Sequence, residues 1–158
     1  MKYALEKEMA LLEEKLQALL QQWQPPQLRN ISSIKGIGKR ASAMLIIFTQ
    51  GFRFTNNHRQ LISFAGLSPT EYSSGSSIHG KSRIYKKGGK NLRDVLYMCA
   101  MNAIKTNIAC KTLYERLRNK GKSGKLALIA VCNKLLKQVF AVVKNNTIYQ
   151  PNYCSVKP

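Results

Sequence analysis

The chain has 158 residues, with 26 lysines and arginines against 7 acidic residues and a formal net charge of +19. Its 44% hydrophobic content is enough to build a core, which excludes a wholly disordered chain. So large a positive excess repels itself unless a polyanion is bound, and nucleic acid is therefore the expected partner. The basic residues are scattered over several segments, which argues against a membrane-surface helix, and the apolar runs are too short to span a bilayer.

The first predicted element is a helix over residues 3–23, because apolar residues recur in alternating steps of four and three. They form the a/d seam of a coiled coil: Leu5, Met9, Leu12, Leu16, Leu19 and Trp23. This helix either lies on its own domain or continues a coiled coil that begins upstream and joins copies into a homo-oligomer. Pro25-Pro26 ends it. The predicted divisions are a coiled-coil helix at 1–24, the main domain at 28–153 and a tail at 154–158.

Residues 28–48 have the pattern of two helices joined by a tight Gly-Ile-Gly turn, an element that resembles a helix-hairpin-helix. Gly36 and Gly38 permit a sharp turn and bring the first N–H groups of the second helix close to a phosphate. Lys35, Lys39 and Arg40 surround the turn with positive charge. We predict that these five residues bind nucleic acid. An αα-hairpin that binds no ligand is the alternative.

Further helices are predicted over residues 58–66, 92–107 and 123–144, and no segment alternates convincingly with period two. The predicted fold class is therefore mainly α, a compact helical domain. The four cysteines lack a CxxC pair, which favours reduced thiols over a zinc site shared with His58 and His79. The first residues show no secretory signal, so a cytoplasmic location, on the bacterial nucleoid, is expected.

Between the first and second of these helices, residues 71–93 (EYSSGSSIHGKSRIYKKGGKNLR) form a predicted loop rich in Gly, Ser and basic residues. Composition leaves three interpretations open: a solvated basic loop, a phosphate-binding loop, or a loop that carries a nucleophile. Free backbone N–H groups and cations suit phosphodiester oxygens. The candidate ligands are Gly75, Lys81, Arg83, Lys86, Lys87, Lys90 and Arg93.

A nucleophile in this loop would need activation, since a serine hydroxyl is unreactive without a base, a metal or a positive field. His79 is the candidate base. A tyrosine nucleophile, Tyr72 or Tyr85, has less support because no Arg/His constellation surrounds it. The few acids beyond residue 15 (Glu71, Asp94 and Glu115) are too few and too dispersed for a two-metal nuclease site.

Three runs then occur in order: IKGIGKRASAMLI, FRFTNNHRQLISFAGLSPTEYSSGSSIHGKSRIYKKGGKNLRDVLYMCAMNAI and GKSGKLALIAVCNKLLKQVFAVVKN. Together they resemble the C-terminal domain of IS110/IS116/IS902-type transposases, and most of all the IS1111 subgroup. The resemblance covers residues 28–153. Its specificity comes from the co-occurrence of the GIG hairpin, the F-AGL-P run, the SG loop, the K-GG/GN-LR-LY run and the KLL helix.

The resemblance implies a DNA transposase or recombinase whose C-terminal domain supplies a serine nucleophile. In the family this serine directly precedes the loop glycine, which identifies Ser74 before Gly75, with Ser73 as the neighbouring alternative. It further implies a bridge RNA that guides the enzyme, and Mg²⁺ held by four acids of a RuvC-like N-terminal domain. That domain is not within these residues, so no cofactor is expected in this chain itself.

Two other functions remain open on the residues alone. One is a non-catalytic helix-hairpin-helix module that only binds nucleic acid. The other is a dimerisation fragment in which residues 5–23 carry the function and the basic surface is incidental.

Overall fold

The structure is a computed structural model that describes residues 2–70, 73–74, 78–79, 83–84 and 89–151. The described chain is mainly helical, which confirms the predicted fold class. Its helices are α1 (Lys2–Trp23), α2 (Pro25–Ser32), α3 (Lys39–Phe48), α4 (His58–Phe64), α5 (Lys90–Thr106), α6 (Ile108–Asn119) and α7 (Gly124–Lys144). Four two-residue strands lie between α4 and α5: β1 (Pro69–Thr70), β2 (Ser73–Ser74), β3 (Ile78–His79) and β4 (Arg83–Ile84).

Helix α7 is the centre of the fold and packs against α2, α4, α5 and α6. It buries seven residues: Ala127, Val131, Cys132, Leu135, Leu136, Val139 and Val142. Burying each larger apolar side chain contributes about 1.5–3 kcal/mol, so this helix supplies much of the core. As a 21-residue helix it is long and apolar enough to cross a membrane, contrary to the sequence argument, but it is the core helix around which the others pack.

Helix α6 is the element that the sequence analysis misses, because residues 108–119 were assigned no structure. Asn107 ends α5 and begins α6: its side chain accepts a hydrogen bond from the Cys110 N–H at 3.3 Å, as an N-cap does. An asparagine followed by an apolar-periodic segment is a helix-start signal. The two helices share this one capping residue. Residues 90–119 therefore form two consecutive helices, whereas the sequence predicts a single helix that ends at residue 107.

The segment predicted as a loop without regular structure is partly paired with itself. Strand β1 pairs with β4 in antiparallel register, Pro69 opposite Ile84, and β2 pairs with β3, Ser74 opposite Ile78. Pairing satisfies backbone N–H and C=O groups that a bare loop would leave to water. We call the segment 69–84 the β-hairpin; α5 then begins at Lys90, two residues earlier than expected.

Helix α1 confirms the predicted N-terminal helix, and only its C-terminal end packs on the domain. Leu20 is buried and Leu16 is partly buried, where α1 meets α2 and α3. Most of the predicted seam is exposed, including Leu5 at 57% and Leu12 at 63%. Pro25 is the first residue of α2 and leaves a break of one residue, Gln24, between the two helices.

Candidate nucleic-acid interface and nucleophile

The Gly-Ile-Gly turn connects α2 to α3, and its first glycine faces the interior. Gly36 has a φ of +104°, and a Cβ added to it would stand 2.6 Å from the Ala103 Cβ and 2.7 Å from its Cα. Glycine is therefore required here by backbone conformation and by the close approach of α5. That Gly36 also binds nucleic acid remains a prediction, separate from this structural role.

A buried side chain at the junction of α5 and α6 holds the turn in place. Asn107, 2% exposed, donates from its Nδ2 to the Lys35 carbonyl at 3.2 Å and to Gln138 Oε1 at 3.1 Å. Its Oδ1 accepts from the Cys110 N–H and, at 3.3 Å, from the Tyr149 hydroxyl. All the hydrogen-bonding groups of this amide are satisfied, which makes it a rigid positioning residue for the turn.

The segment after α7 closes over the same turn. The Tyr149 N–H donates to the Ser33 Oγ at 2.8 Å, and Asn30 Nδ2 donates to Asn146 Oδ1 at 2.9 Å. Burial raises the pKa of the Tyr149 hydroxyl, so it stays protonated near neutrality and keeps its hydrogen bond to Asn107. The sequence predicts no regular element after residue 144, and therefore no role for Tyr149 in holding the turn.

The second glycine of the turn faces open space. Gly38 is the N-cap of α3 with an extended backbone, and an added Cβ would meet no atom within 4 Å. The side chains of Lys35, Lys39 and Arg40 are exposed around it. These four residues of the predicted set therefore lie together at an accessible helix N-terminus, whose N–H groups and dipole favour anions.

Helix α1 approaches this turn and places a carboxylate beside its cations. The Arg40 Nη1 lies 3.1 Å from the Glu13 Oε1, and the Gln17 Nε2 donates to the Lys39 carbonyl at 3.1 Å. Both charged side chains of the ion pair remain about half exposed or more. Glu13 thus competes with a phosphate for Arg40, while a pair this exposed contributes at most about 1 kcal/mol to folding.

We expect Glu13→Gln to raise the affinity of the chain for nucleic acid by about twofold to fivefold at low salt, because it frees Arg40 and removes a negative charge. Fluorescence anisotropy with a labelled DNA duplex measures this change. The control is Glu6→Gln, which removes the same charge from an exposed pair with Lys2 on the same helix. Equal effects of the two substitutions would contradict a local role for Glu13.

The proposed nucleophile, Ser74, lies in the inner strand pair of the β-hairpin. Its neighbour Ser73 is opposite His79 in the register, and Arg83 is opposite Thr70 in the outer pair. The pairing puts His79, the candidate base, on the strand next to that of Ser74. The predicted ligands Gly75, Lys81, Lys86 and Lys87 lie outside the described residues, as do Glu71, Tyr72 and Tyr85.

The described residues that flank the serine-bearing segment, Leu67 and Gly89, are anchored to the helical domain. Leu67, just before β1, is buried, and its carbonyl accepts from the Asn133 Nδ2 of α7 at 3.4 Å. On the other side, the Gly89 N–H donates to the Phe64 carbonyl at 3.2 Å. Two of the described helices, α4 and α7, therefore hold the residues on either side of the serine-bearing segment.

The two predicted ligands on α5 differ in their surroundings. Arg93 is half-buried, and its Nη1 donates to the Ala65 carbonyl at 3.2 Å, so this guanidinium helps to hold the base of the β-hairpin. Lys90 is exposed at the first residue of α5. Lys90 therefore presents its charge to solvent beside the β-hairpin, whereas Arg93 has a structural contact of its own.

Three cysteines lie in the core and are not reactive groups. Burial raises the pKa of the Cys99 and Cys110 thiols to about 11 and that of Cys132 to about 12. Thiols that remain protonated are poor nucleophiles and poor metal ligands. In the ranges that the structure describes, no three His, Cys, Asp or Glu side chains are grouped closely enough to hold a metal ion.

Comparison with known proteins identifies the family. A sequence model described as transposase, IS116/IS110/IS902 family, matches residues 28–115, from the end of α2's first turn into α6. This match covers more than half of the chain, including the Gly-Ile-Gly turn and the whole β-hairpin. The chain belongs to the IS116/IS110/IS902 family of transposases.

Individual relatives agree with this assignment. This transposase-family chain is 30% identical, over 88% of its length, to a 43.6 kDa protein of insertion element IS110 from Streptomyces coelicolor, and covers 34% of that protein. It is 36% identical, over 73% of its length, to a pilin gene-inverting protein of Moraxella lacunata, and covers 36% of it. The chain thus spans about a third of the length of the curated relatives it matches.

Proposed function

We propose that this chain is the part of a DNA transposase or recombinase that binds nucleic acid and supplies the serine nucleophile. The observation that carries the proposal is the family match over residues 28–115, which contains both the basic turn and the Ser74 strand. The relatives' names support DNA rearrangement as the reaction, since one belongs to an insertion element and another inverts a pilin gene.

The first step of the proposed function is binding of the phosphate backbone. The exposed side of the turn, formed by Lys35, Gly38, Lys39 and Arg40, joins a helix N-terminus to three cations. Lys90 adds a fourth exposed cation at the start of α5. Because such contacts read charge and not bases, this surface would hold DNA or a bridge RNA without choosing its sequence.

The second step is attack by Ser74. Its Oγ would form a bond to a DNA phosphorus as one P–O bond to deoxyribose breaks, leaving a phosphoserine link and a free deoxyribose hydroxyl. The serine proton would pass to a base, for which His79 is the candidate, and a proton would be delivered to the departing oxygen. A second deoxyribose hydroxyl could then attack the phosphoserine, which rejoins DNA in a new combination without hydrolysis.

The Mg²⁺ that the family implies does not fit the described residues of this chain. Asp94 and Glu115 are both exposed and lie on different helices, and no three possible ligands are grouped among the residues that the structure describes. A divalent metal site would therefore belong to a RuvC-like domain in another part of the full-length protein. No step of the serine chemistry above depends on such a site within this chain.

Self-association through α1 completes the proposal. The seam residues Leu5, Met9, Leu12 and Leu19 are at least half exposed and line one face of a 22-residue helix. A second copy of this helix would cover them in the manner of a coiled coil. Strand exchange needs more than one serine, one for each strand cut, and an oligomer would supply them.

The test is a search for a covalent protein–DNA adduct. The chain is fused to, or mixed with, the N-terminal portion of a full-length relative and incubated with a nicked DNA substrate that carries the relative's insertion site. We expect a species that survives denaturation and is removed by nuclease, with mass spectrometry locating the nucleotide on a β2 serine. Salt-dependent binding with no adduct under any condition would instead favour the non-catalytic binding module.

A further inference from the structure

A groove runs between α6 and α7 on a part of the molecule that neither the turn nor the β-hairpin includes. Its cavity has a volume of about 470 Å³ and is lined by Arg116 from α6 and by Lys134 and Lys137 from α7. Its floor is made of small or short side chains, among them Ala109 and Ala130. We call this cavity the α6–α7 groove.

The groove is lined by basic residues that no acidic residue of the lining neutralises. None of its lining residues is acidic, and α7 contains no Asp or Glu at all. On α6 the single acid, Glu115, lies 3.9 Å from the Lys111 Nζ, outside the lining. Three cations that surround an open floor and have no carboxylate partner among the described residues make a strong local field for anions.

The cations that line the groove lie on two facing helices. Lys134 and Lys137 are about 4.5 Å apart along the α7 axis, and Arg116 faces them from the neighbouring helix. Lys134 also lines a second cavity of about 330 Å³, which continues along α7 beside Ala141 and Asn145. The two cavities share Ala109 and Lys134, so the space beside Lys134 is long enough for more than one unit of an extended chain.

The groove is connected to the proposed active-site segment through one residue. Asn133 lines the groove and donates from its Nδ2 to the Leu67 carbonyl, directly before strand β1. The groove therefore lies one residue away from the segment that leads into β1. This contact gives the groove a position from which bound backbone could continue toward the Ser74 strands.

We propose that the α6–α7 groove is a second nucleic-acid site that binds a phosphodiester backbone through Arg116, Lys134 and Lys137. The inference rests on the nucleic-acid binding proposed above and adds a separate surface to it. Guanidinium and ammonium groups bind phosphate oxygens of DNA and of RNA alike, so either strand could supply the ligand. The small floor leaves room for the sugar-phosphate chain.

The experiment compares two variants of the whole chain that lose equal charge. One carries Arg116→Gln, Lys134→Gln and Lys137→Gln; the control carries Lys2→Gln, Lys7→Gln and Lys15→Gln on α1. Affinity is measured against salt for single-stranded DNA, single-stranded RNA of the same sequence, and duplex DNA. We expect the groove variant to lower the salt slope by about 2 to 3 and the control by less than about 1.

The outcomes distinguish the proposed groove site from the more general proposal that the chain binds nucleic acid. A groove variant that behaves like the control would overturn the α6–α7 site and leave nucleic-acid binding elsewhere intact. A wild-type chain that binds none of the three probes would overturn both. A loss restricted to RNA or to DNA supports the groove and identifies which strand occupies it.

A second measurement needs no substitution and remains decisive if the groove variant fails to fold. The wild-type chain is acetylated with and without a bound oligonucleotide, and modification at each lysine is read by mass spectrometry. We expect Lys134 and Lys137 to be protected several-fold relative to Lys2 and Lys7. Equal modification of all four lysines in the two conditions would overturn the proposal.

Discussion

Ser74→Ala should abolish DNA strand exchange and the covalent adduct, because no other oxygen takes the place of the proposed nucleophile. Losses from removing a catalytic nucleophile reach about 10⁶-fold in other enzymes, which is beyond detection in a recombination assay. The assay pairs this chain with the N-terminal portion of a relative and scores joined DNA products. Binding of DNA by the variant should stay within about twofold of the unchanged chain, since a neutral hydroxyl contributes little to phosphate affinity.

The control for this experiment lies in the same strand. Ser73→Ala removes an identical hydroxyl from the neighbouring residue of β2. We expect it to retain strand exchange. Recombination that persists in Ser74→Ala and is lost in Ser73→Ala would move the nucleophile to Ser73, and persistence in both would remove β2 from the chemistry.

Gly36→Ala should destabilise the fold by about 3 kcal/mol, the larger of the two stability effects expected at the turn. The new Cβ would have to occupy a position 2.7 Å from the Ala103 Cα, and the φ of +104° disfavours any side chain. The Ala103 Cα is a backbone atom of α5, so no side-chain rotation relieves the contact. For a chain of this size we expect the Tm to fall by about 6–12 °C, measured by circular dichroism.

Gly38→Ala is the matched substitution, with the same atoms added two residues away. Its φ of −83° is ordinary and its Cβ would enter open space, so stability should change by about 1 kcal/mol or less. The affinity for DNA should fall instead, because the methyl group stands where a phosphate would approach the α3 N–H groups. Equal decreases in Tm for the two substitutions would contradict the prediction that Gly36 is required by its close contact with α5.

Local sequence patterns were sufficient to predict the helices whose apolar residues recur with a clear period or whose ends have a clear signal. The heptad spacing of Leu5 to Trp23 predicts α1, and the glycine pair predicts the turn between α2 and α3. The sequence predicts no helix over residues 108–119 because Asn107 has the signal of a helix end, whereas in the structure it caps two helices. Strands of two residues have no measurable alternation, so the pairing of β1 with β4 and of β2 with β3 could not be predicted.

The sequence by itself determined the helical class, the strong positive charge and the family, because each depends on composition or on the order of residues along the chain; Ser74 as the nucleophile is a prediction from the resemblance to that family. Only the tertiary structure decided that Gly36 faces α5 while Gly38 faces solvent, that Asn107 holds the Lys35 carbonyl, and that Glu13 reaches Arg40. Those contacts join residues between 27 and 72 positions apart, as Glu13 with Arg40 and Lys35 with Asn107 do. Which long-range pairs meet is set by how the helices pack, and no local pattern encodes it.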